Sequence, residues 1–281
     1  MRIINKQKLI ETVRQCCIEG ATLLPEDVLQ AMKNAEAEEQ SALGKSFLSQ
    51  CIENAVIARN ESMPICQDTG FAVFFIEIGQ EVLLDEGTWD EVVNEGVRQG
   101  YTDGYLRKSI VRDPLFDRKN TRDNTPAVIH YSFVEGDKVR IVFAPKGGGS
   151  ENMSAIKMLK VSEGRQGIVD FVVNSVINAG GNPCPPTIVG VGIGGTFEKC
   201  AFLAKKALLR KVGEPNSDER YAELEREILE KINASGVGPQ GLGGNTTALA
   251  VHIEHHPCHI ASLPCAVNLN CHAARHVEKE I

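Results

Sequence analysis

The sequence of 281 residues predicts an α+β fold. Three observations favour this class. Apolar residues with helical spacing dominate the first part of the chain, strand-like apolar runs come in the middle, and the two kinds of segment do not alternate in regular βαβ order. The chain has no internal repeat and no low-complexity linker, so we expect a single domain over residues 1–281.

The helices are predicted from apolar spacing and from the residues at their ends. Good first-turn residues open the second helix at Pro25, and a pair of glycines at 180–181 marks a typical stop. The predicted helices are residues 5–19, 25–38, 41–59, 88–107 (interrupted near Gly100 and Gly104), 165–178, a helix that includes Cys200 and runs to about residue 211, and the charged segment 218–233.

Strands are predicted where β-branched and aromatic residues run together. The predicted strands are residues 71–78, 127–134, 138–144 and 187–193. The turn at residues 135–137 should join the second and third of them as a hairpin. The first strand begins directly after the motif CQDTG, so this motif should lie in the loop that enters a buried strand.

The composition narrows the classes of function. The formal net charge of −7, without a strong basic patch, argues against nucleic-acid binding. No run of about 18 apolar residues is present, so we expect no membrane span. The first residues lack the apolar core of a signal peptide, which makes a cytoplasmic location the default expectation. Nine cysteines in such a chain predict free thiols, metal ligands or catalytic groups. Cys16, Cys17 and Cys51 are interpreted as small buried apolar residues.

The stretch from Gly236 to His276 concentrates groups that bind metals. It contains three of the nine cysteines and six of the seven histidines. These residues are Cys258, Cys265, Cys271, His252, His255, His256, His259, His272 and His276. Iron and zinc bind thiolates and imidazoles. One alternative is therefore a structural zinc site, although these thiols lack the close spacing of zinc knuckles. Its ligands would be Cys258, His259, Cys265 and Cys271.

Two glycine motifs have competing interpretations. Gly190, Gly192 and Gly195 match the dinucleotide fingerprint G-x-G-x-x-G between a strand and a helix. The region that follows lacks a strand ending in an acidic residue, which argues against nucleotide binding. These glycines could instead let the backbone pass close to a bulky inorganic group. KGGGS, residues 146–150, is either an anion-binding turn or a flexible loop.

Two further cysteines are candidates for chemistry. In CQDTG, residues 66–70, Cys66 is either a nucleophile that needs a positioned base or a metal ligand. Asp68 is a candidate to orient a base or to accept a proton, and a simple turn is the alternative for residues 68–70. Cys200 lies one turn into its predicted helix, whose positive end favours the thiolate form that binds iron.

Six motifs in this order carry a resemblance to a known family. They are PICQDTG, LRKSIVRDPL, KGGGSEN, GIGGTFEKC, GPQGLGGNTTAL and HIASLPCAVNLNCHAARH. Together they resemble the α-type catalytic subunit of the class I fumarase and tartrate dehydratase family, which are iron–sulfur hydro-lyases. The resemblance implies a [4Fe–4S] cluster with three cysteine ligands and one open iron. By motif match the ligands would be Cys66, Cys200 and Cys271, while Cys258 and Cys265 do not match ligand positions.

The same resemblance implies roles for five other positions. His259 would contact substrate and take part in proton transfer with Asp68. Gln67 and Asp68 would contact substrate beside the first ligand. Arg107 would pair with a substrate carboxylate, and Gly149 would offer a backbone donor. From the residues alone, a surface ion pair is the alternative for Arg107 and a structural role is the alternative for His259.

The implied reaction adds or removes water in a C4 dicarboxylate. Such chemistry needs a Lewis acid, a base for a proton next to a carboxylate, and cations or amides that hold the carboxylates. Fumarate hydration to (S)-malate is our first hypothesis. L(+)-tartrate dehydration to oxaloacetate is the alternative, and a non-enzymatic iron–sulfur or zinc sensor is a third. Single-chain relatives continue into a β-type domain, so we expect a separate β-type subunit to complete the site, in a higher assembly such as α2β2.

Overall fold

The computed structural model describes residues 1–281 and confirms the α+β class. The helices are α1 (Lys6–Thr22), α2 (Glu26–Glu38), α3 (Ala42–Glu61), α4 (Trp89–Asp103), α5 (Gly148–Glu151), α6 (Gly164–Ala179), α7 (Phe197–Ala207) and α8 (Glu219–Asn233). The strands are β1 (Arg2–Ile4), β2 (Phe71–Gly79), β3 (Val82–Leu84), β4 (Val128–Val134), β5 (Val139–Lys146), β6 (Ala155–Leu159), β7 (Thr187–Gly194), β8 (Ala248–His256), β9 (Leu263–Asn270) and β10 (Val277–Glu280). None of the helices combines the length and the apolar character needed to cross a bilayer.

The chain divides into two compact units, and each has its own four-stranded sheet. The first unit comprises Met1–Leu24, Ala55–Gly148 and Arg275–Ile281, and the second comprises Pro25–Asn54 and Gly149–Ala274. The chain therefore passes from one unit to the other at four points. Because the units are interleaved along the chain, no single linker marks their boundary in the sequence.

β2 is a central strand of the sheet in the first unit. The strand order is β10-β5-β2-β4, with β2 parallel to β4 and antiparallel to β5. The predicted hairpin between β4 and β5 is therefore wrong, since β2 lies between them. The physical reason is burial. β2 is the apolar run FAVFFIEIG and is almost wholly buried, whereas β4 is largely exposed and takes the edge.

Helices α1 and α4 pack closely in the core of the first unit. A Cβ atom at Gly100 would lie only 2.7 Å from the Cβ of Cys17, so this glycine permits the close helix contact. Helix α4 consequently runs through Gly100, where an interruption was predicted, and ends at Asp103 with Gly104 as its C-cap. Cys16 and Cys17 are buried in this core, as predicted.

β7 is a central strand of the sheet in the second unit, where the order is β6-β9-β7-β8. It runs parallel to β8 and antiparallel to β9. The side chains of β7 that face α6 and α8 are Val189, Val191 and Ile193. The alternate positions Gly190 and Gly192 face α7. A Cβ atom at Gly192 would lie 2.0 Å from the carbonyl oxygen of Cys200. Packing of α7 on the strand thus explains these glycines, in place of the expected inorganic group.

Candidate active site

The CQDTG motif forms the loop that enters β2, as predicted. Cys66 and Asp68 are half-buried, while Gln67 is exposed. The backbone N–H of Asp68 donates to the Sγ of Cys66 at 3.4 Å, and the thiol lies 3.4 Å from the Oε1 of Gln67. A thiol, an amide and a carboxylate are therefore presented together by three consecutive residues of the first unit.

Both carboxylate oxygens of Asp68 accept backbone hydrogen bonds. Oδ1 accepts from the N–H of Gly70 at 3.0 Å, and Oδ2 accepts from the N–H of Gly148 at 2.8 Å. The main-chain carbonyl of Asp68 accepts from Nη2 of Arg275 at 3.0 Å. An ionised carboxylate has about four lone-pair sites, so Asp68 keeps acceptor capacity for a substrate. Asp68 also links the CQDTG loop to the KGGGS segment, a connection that neither motif indicates in the sequence.

Arg107 is exposed and lies in the irregular segment that follows α4. Its main-chain carbonyl accepts from Oγ1 of Thr69 at 3.0 Å, which ties this segment to the CQDTG loop. Its guanidinium makes no ion pair with a carboxylate of the chain, so the alternative of a surface ion pair is not observed. The planar fork of donors is left available for a carboxylate ligand.

In the second unit, Cys184 lies beside Cys271, and the main chain of His272 joins them. The N–H of His272 donates to the carbonyl oxygen of Cys184 at 3.2 Å, and its Nδ1 lies 3.1 Å from the same oxygen. Cys184 precedes β7 and Cys271 follows β9, so the two residues share one end of the sheet. Cys184 is exposed. No motif in the sequence pointed to Cys184, although its place directly before two prolines and an apolar strand was a usable signal.

Cys200 does not lie at this end of the sheet. Its carbonyl packs over Gly192, which pairs with Ala266 on β9. The strand then continues to Asn270 before Cys271. At about 3.3 Å per residue, this places Cys200 and Cys271 roughly 13 Å or more apart along the strand. Burial also raises the pKa of the Cys200 thiol, against the thiolate that was expected. The geometry therefore speaks against Cys200 as a ligand beside Cys271.

A further thiol, Cys51 on α3, lies near the Cys184–Cys271 pair. Phe47, one turn before it, packs edge-on against the ring of His272 with 5.9 Å between ring centroids. Burial raises the pKa of Cys51 to about 12, and the neighbouring Cys271 and Cys184 contribute in the same direction. Cys51 is only 7% exposed, which confirms the prediction that it is a buried packing residue.

His259 is exposed in the turn between β8 and β9. Its Nδ1 accepts from the N–H of Ala261 at 3.1 Å, and its carbonyl accepts from the N–H of Ser262 at 2.8 Å. With Nδ1 as the acceptor, the neutral ring carries its proton on Nε2. In this exposed ring the Nε2–H group then remains as a hydrogen-bond donor. Gly149 is exposed in the first turn of α5, where backbone N–H groups lack intrahelical acceptors.

The zinc alternative fails on the geometry of β9. Cys265 is buried within this strand, near the opposite end from Cys271. No three side chains of His, Cys, Asp or Glu come together as a metal site. Thiolates are the ligands that iron–sulfur clusters take, and each unit presents accessible thiols of this kind. The second unit offers Cys184 and Cys271 at one end of a sheet, the first offers Cys66, and all three are exposed or half-buried.

Glu39 anchors the glycine-rich segment GLGGNTT of the second unit, and no sequence pattern predicted this role. The carboxylate is buried and accepts from the backbone N–H groups of Gln40, Ser41, Asn245 and Thr246 at 2.9 to 3.2 Å. Burial alone would raise the pKa of Glu39, but these hydrogen bonds outweigh it and hold the pKa below its usual value.

Glu39→Gln is expected to lower the free energy of unfolding by about 2–4 kcal/mol, because a neutral amide replaces the acceptor of several charge-assisted bonds. Since the pKa is lowered in the folded state, the stabilisation is present above the usual value of 4.5 and is lost as pH falls through the folded value. Urea unfolding should therefore show wild type and variant converging in acid. The exposed neighbour Glu38, changed to Gln, serves as the control. A difference that stayed constant with pH would contradict this account.

Residues 10–280 match the family described as Fumarate hydratase (Fumerase). The chain belongs to this family. A protein of Methanocaldococcus jannaschii, provisionally named L(+)-tartrate dehydratase subunit alpha, is 44% identical over 280 residues, which are 98% of this chain and 98% of that protein. The L(+)-tartrate dehydratase subunit alpha of Escherichia coli strain K12 is 34% identical over 279 residues, which are 96% of this chain and 91% of that subunit.

Membership in the fumarate hydratase family confirms the resemblance seen in the six motifs and makes this chain a member of a lyase family. Both of these relatives carry the tartrate dehydratase name, whereas the family model carries the fumarate hydratase name. Full-length similarity also covers every candidate position, from the CQDTG loop to the turn that holds His259.

Proposed function

We propose that this chain is the α subunit of a two-subunit iron–sulfur hydro-lyase that removes water from L(+)-tartrate to give oxaloacetate. The observation that carries the proposal is similarity over at least 96% of the chain to subunits named for tartrate dehydration. Hydration of fumarate to (S)-malate is the second candidate, because the family itself is described as fumarate hydratase. Membership in a lyase family favours either reaction over a sensor without catalysis.

Cys66, Cys184 and Cys271 are the thiols that would hold a [4Fe–4S] cluster with one open iron. Cys184 takes the place first predicted for Cys200, and its support is the shared sheet end with Cys271. Exposed or half-buried thiols can lose their protons to a metal, whereas the Cys200 thiol is enclosed between α7 and the sheet. When bound, the cluster supplies a Lewis acid for a substrate hydroxyl.

The remaining candidate groups bind the substrate and move protons. Arg107 pairs with one carboxylate through its fork of donors, and Gln67 and the N–H of Gly149 donate further hydrogen bonds. Dehydration of tartrate removes a proton from one carbinol carbon and the hydroxyl from the next, giving water and an enol that tautomerises to oxaloacetate. His259 can give its Nε2 proton to the departing hydroxyl, and Asp68 can orient or share that proton.

A β-type subunit on a separate chain completes this site. A C4 diacid has two carboxylates, and the guanidinium of Arg107 accounts for one of them. The partner would supply a cation for the second carboxylate and the base that takes the carbon-bound proton. The names of the relatives, each a subunit alpha, support a partner chain. An α2β2 assembly is the simplest symmetric form of such a pair.

The test is turnover by the αβ complex, produced and assayed without oxygen, on L(+)-tartrate, D(−)-tartrate, fumarate and (S)-malate. We expect oxaloacetate from L(+)-tartrate with kcat/KM at least about tenfold above that for the other diacids, a gap of about 1.4 kcal/mol in transition-state binding. Interconversion of fumarate and malate with inert tartrate would select the second candidate. A complex with a full cluster that turned over none of these diacids would contradict both.

A further inference from the structure

A buried polar cluster lies under the CQDTG loop in the first unit. It consists of Thr69, Tyr101 and Asn124, which are 2%, 0% and 0% exposed. Asn124 belongs to the polar stretch after α4, which gave no motif in the sequence. Buried polar side chains are costly unless their hydrogen bonds are made, so the partners of these three side chains indicate what they do.

The cluster holds the two carbonyl groups at the end of the loop. The hydroxyl of Tyr101 donates to the carbonyl of Thr69 at 3.0 Å and lies 3.2 Å from the carbonyl of Gly70. Nδ2 of Asn124 donates to the same Gly70 carbonyl at 3.1 Å. The main chain directly after Asp68 is thereby fixed by side chains from two different segments.

The same cluster holds the segment that carries Arg107. Oγ1 of Thr69 donates to the Arg107 carbonyl at 3.0 Å, and Oδ1 of Asn124 accepts from the N–H of Ser109 at 2.8 Å. The side-chain amide of Asn124 therefore joins the two segments. Its N–H group binds the CQDTG loop, and its oxygen binds the segment that carries Arg107. Asn124 adopts a φ of +62°, a left-handed conformation that asparagine tolerates better than most residues.

We infer that Thr69 and Asn124 are positioning residues that set the separation between Asp68 and Arg107. This inference rests on the proposed function, in which Arg107 binds a substrate carboxylate and Asp68 orients or shares the proton given to the departing hydroxyl. A short diacid has little freedom to adapt, so a displacement of about 1 Å between these groups would weaken binding and misplace the reacting carbons.

Thr69→Val tests the inference in the αβ complex, since it removes the hydroxyl and keeps the side-chain shape. We expect KM for the diacid to rise roughly tenfold with kcat changed less than about threefold, the pattern of lost carboxylate binding. Thr69→Ser should restore the wild-type KM. Thr12→Val is the matched control: Thr12 is also buried in the first unit, and its hydroxyl donates to the Lys8 carbonyl at 2.8 Å within α1. Equal KM values for the two valine variants would overturn the inference.

Hydrogen exchange gives a readout that does not depend on turnover. In the cluster-loaded chain, Thr69→Val and Asn124→Asp should speed amide exchange over residues 105–110 at least about fivefold, and Thr12→Val should leave it unchanged. Unchanged exchange in Thr69→Val would overturn the inference even if KM rose. A wild-type complex without diacid turnover would contradict the proposed function alone, because the exchange result would still decide whether the two segments are held together.

Discussion

Cys184→Ala is expected to abolish both the iron–sulfur cluster and turnover, whereas Cys200→Ala is expected to keep both. Iron analysis without oxygen should give about four irons per chain for Cys200→Ala and less than about one for Cys184→Ala. Turnover by the αβ complex should fall at least about 10³-fold in Cys184→Ala, because no Lewis acid would then face the substrate. The reason is geometric: Cys184 shares an end of the second unit's sheet with Cys271, and Cys200 lies under α7.

The matched controls separate ligand loss from damage to the fold. Cys66→Ala and Cys271→Ala should behave like Cys184→Ala. Cys51→Ala should keep its irons, because Cys51 is a buried packing residue next to the pair. Circular dichroism and thermal unfolding of each variant show whether the sheet is intact. Loss of the cluster in a folded Cys200→Ala, with retention in Cys184→Ala, would contradict the strand geometry and restore the first assignment.

Our proposal of Cys184 in place of Cys200 illustrates what a local sequence pattern can and cannot predict. The motif GGTFEKC correctly predicts a helix that begins near Thr196 and contains Cys200. Whether the thiol then faces solvent or the sheet depends on how α7 packs. Gly190 and Gly192 allow this helix to lie directly on β7, and the contact buries the thiol. The fingerprint glycines were therefore informative about packing and not about a ligand.

The secondary-structure predictions were likewise correct where they depend on local sequence and wrong where they depend on distant contacts. All seven predicted helices are present because apolar spacing and end residues act within one segment. The strands β8 and β9 were not predicted, because their histidines, cysteines and asparagines were interpreted as candidate metal ligands and loop residues. The hairpin failed because strand pairing is a choice among distant segments: β5 pairs with β2, which lies some sixty residues earlier in the chain. Which strand takes the central position depends on which strand buries the most apolar surface on both of its faces.

Contacts between residues far apart in sequence could not be predicted at all. Glu39 binds the backbone of Asn245, 206 residues later, and Arg275 binds the carbonyl of Asp68, 207 residues earlier. Neither side chain is marked by its local sequence. Arg275 lies in an irregular segment between β9 and β10. Candidate residues with a motif, such as Asp68 and Arg107, could be proposed from sequence, while the groups that hold them could not.

His259→Asn in the αβ complex is expected to lower kcat by about 10²–10⁴-fold and to leave the iron content unchanged. His259 is exposed in its turn, and Nδ1 is occupied by the N–H of Ala261 at 3.1 Å. The Oδ1 of an asparagine can accept the same bond, so the turn should be kept. The amide cannot supply or accept a proton near neutral pH, so the step that Nε2–H serves should be lost.

His256→Asn is the matched control for this prediction, because His256 is also exposed and lies just before the same turn. Steady-state kinetics should show kcat close to wild type for His256→Asn and the large loss of kcat only in His259→Asn. A loss in His259→Asn no larger than in the control would assign the proton transfer to the β-type subunit. Asparagine can keep the hydrogen bond to the backbone N–H of Ala261. A large loss of kcat with an intact cluster would therefore be due to the missing proton donor and not to a disordered turn.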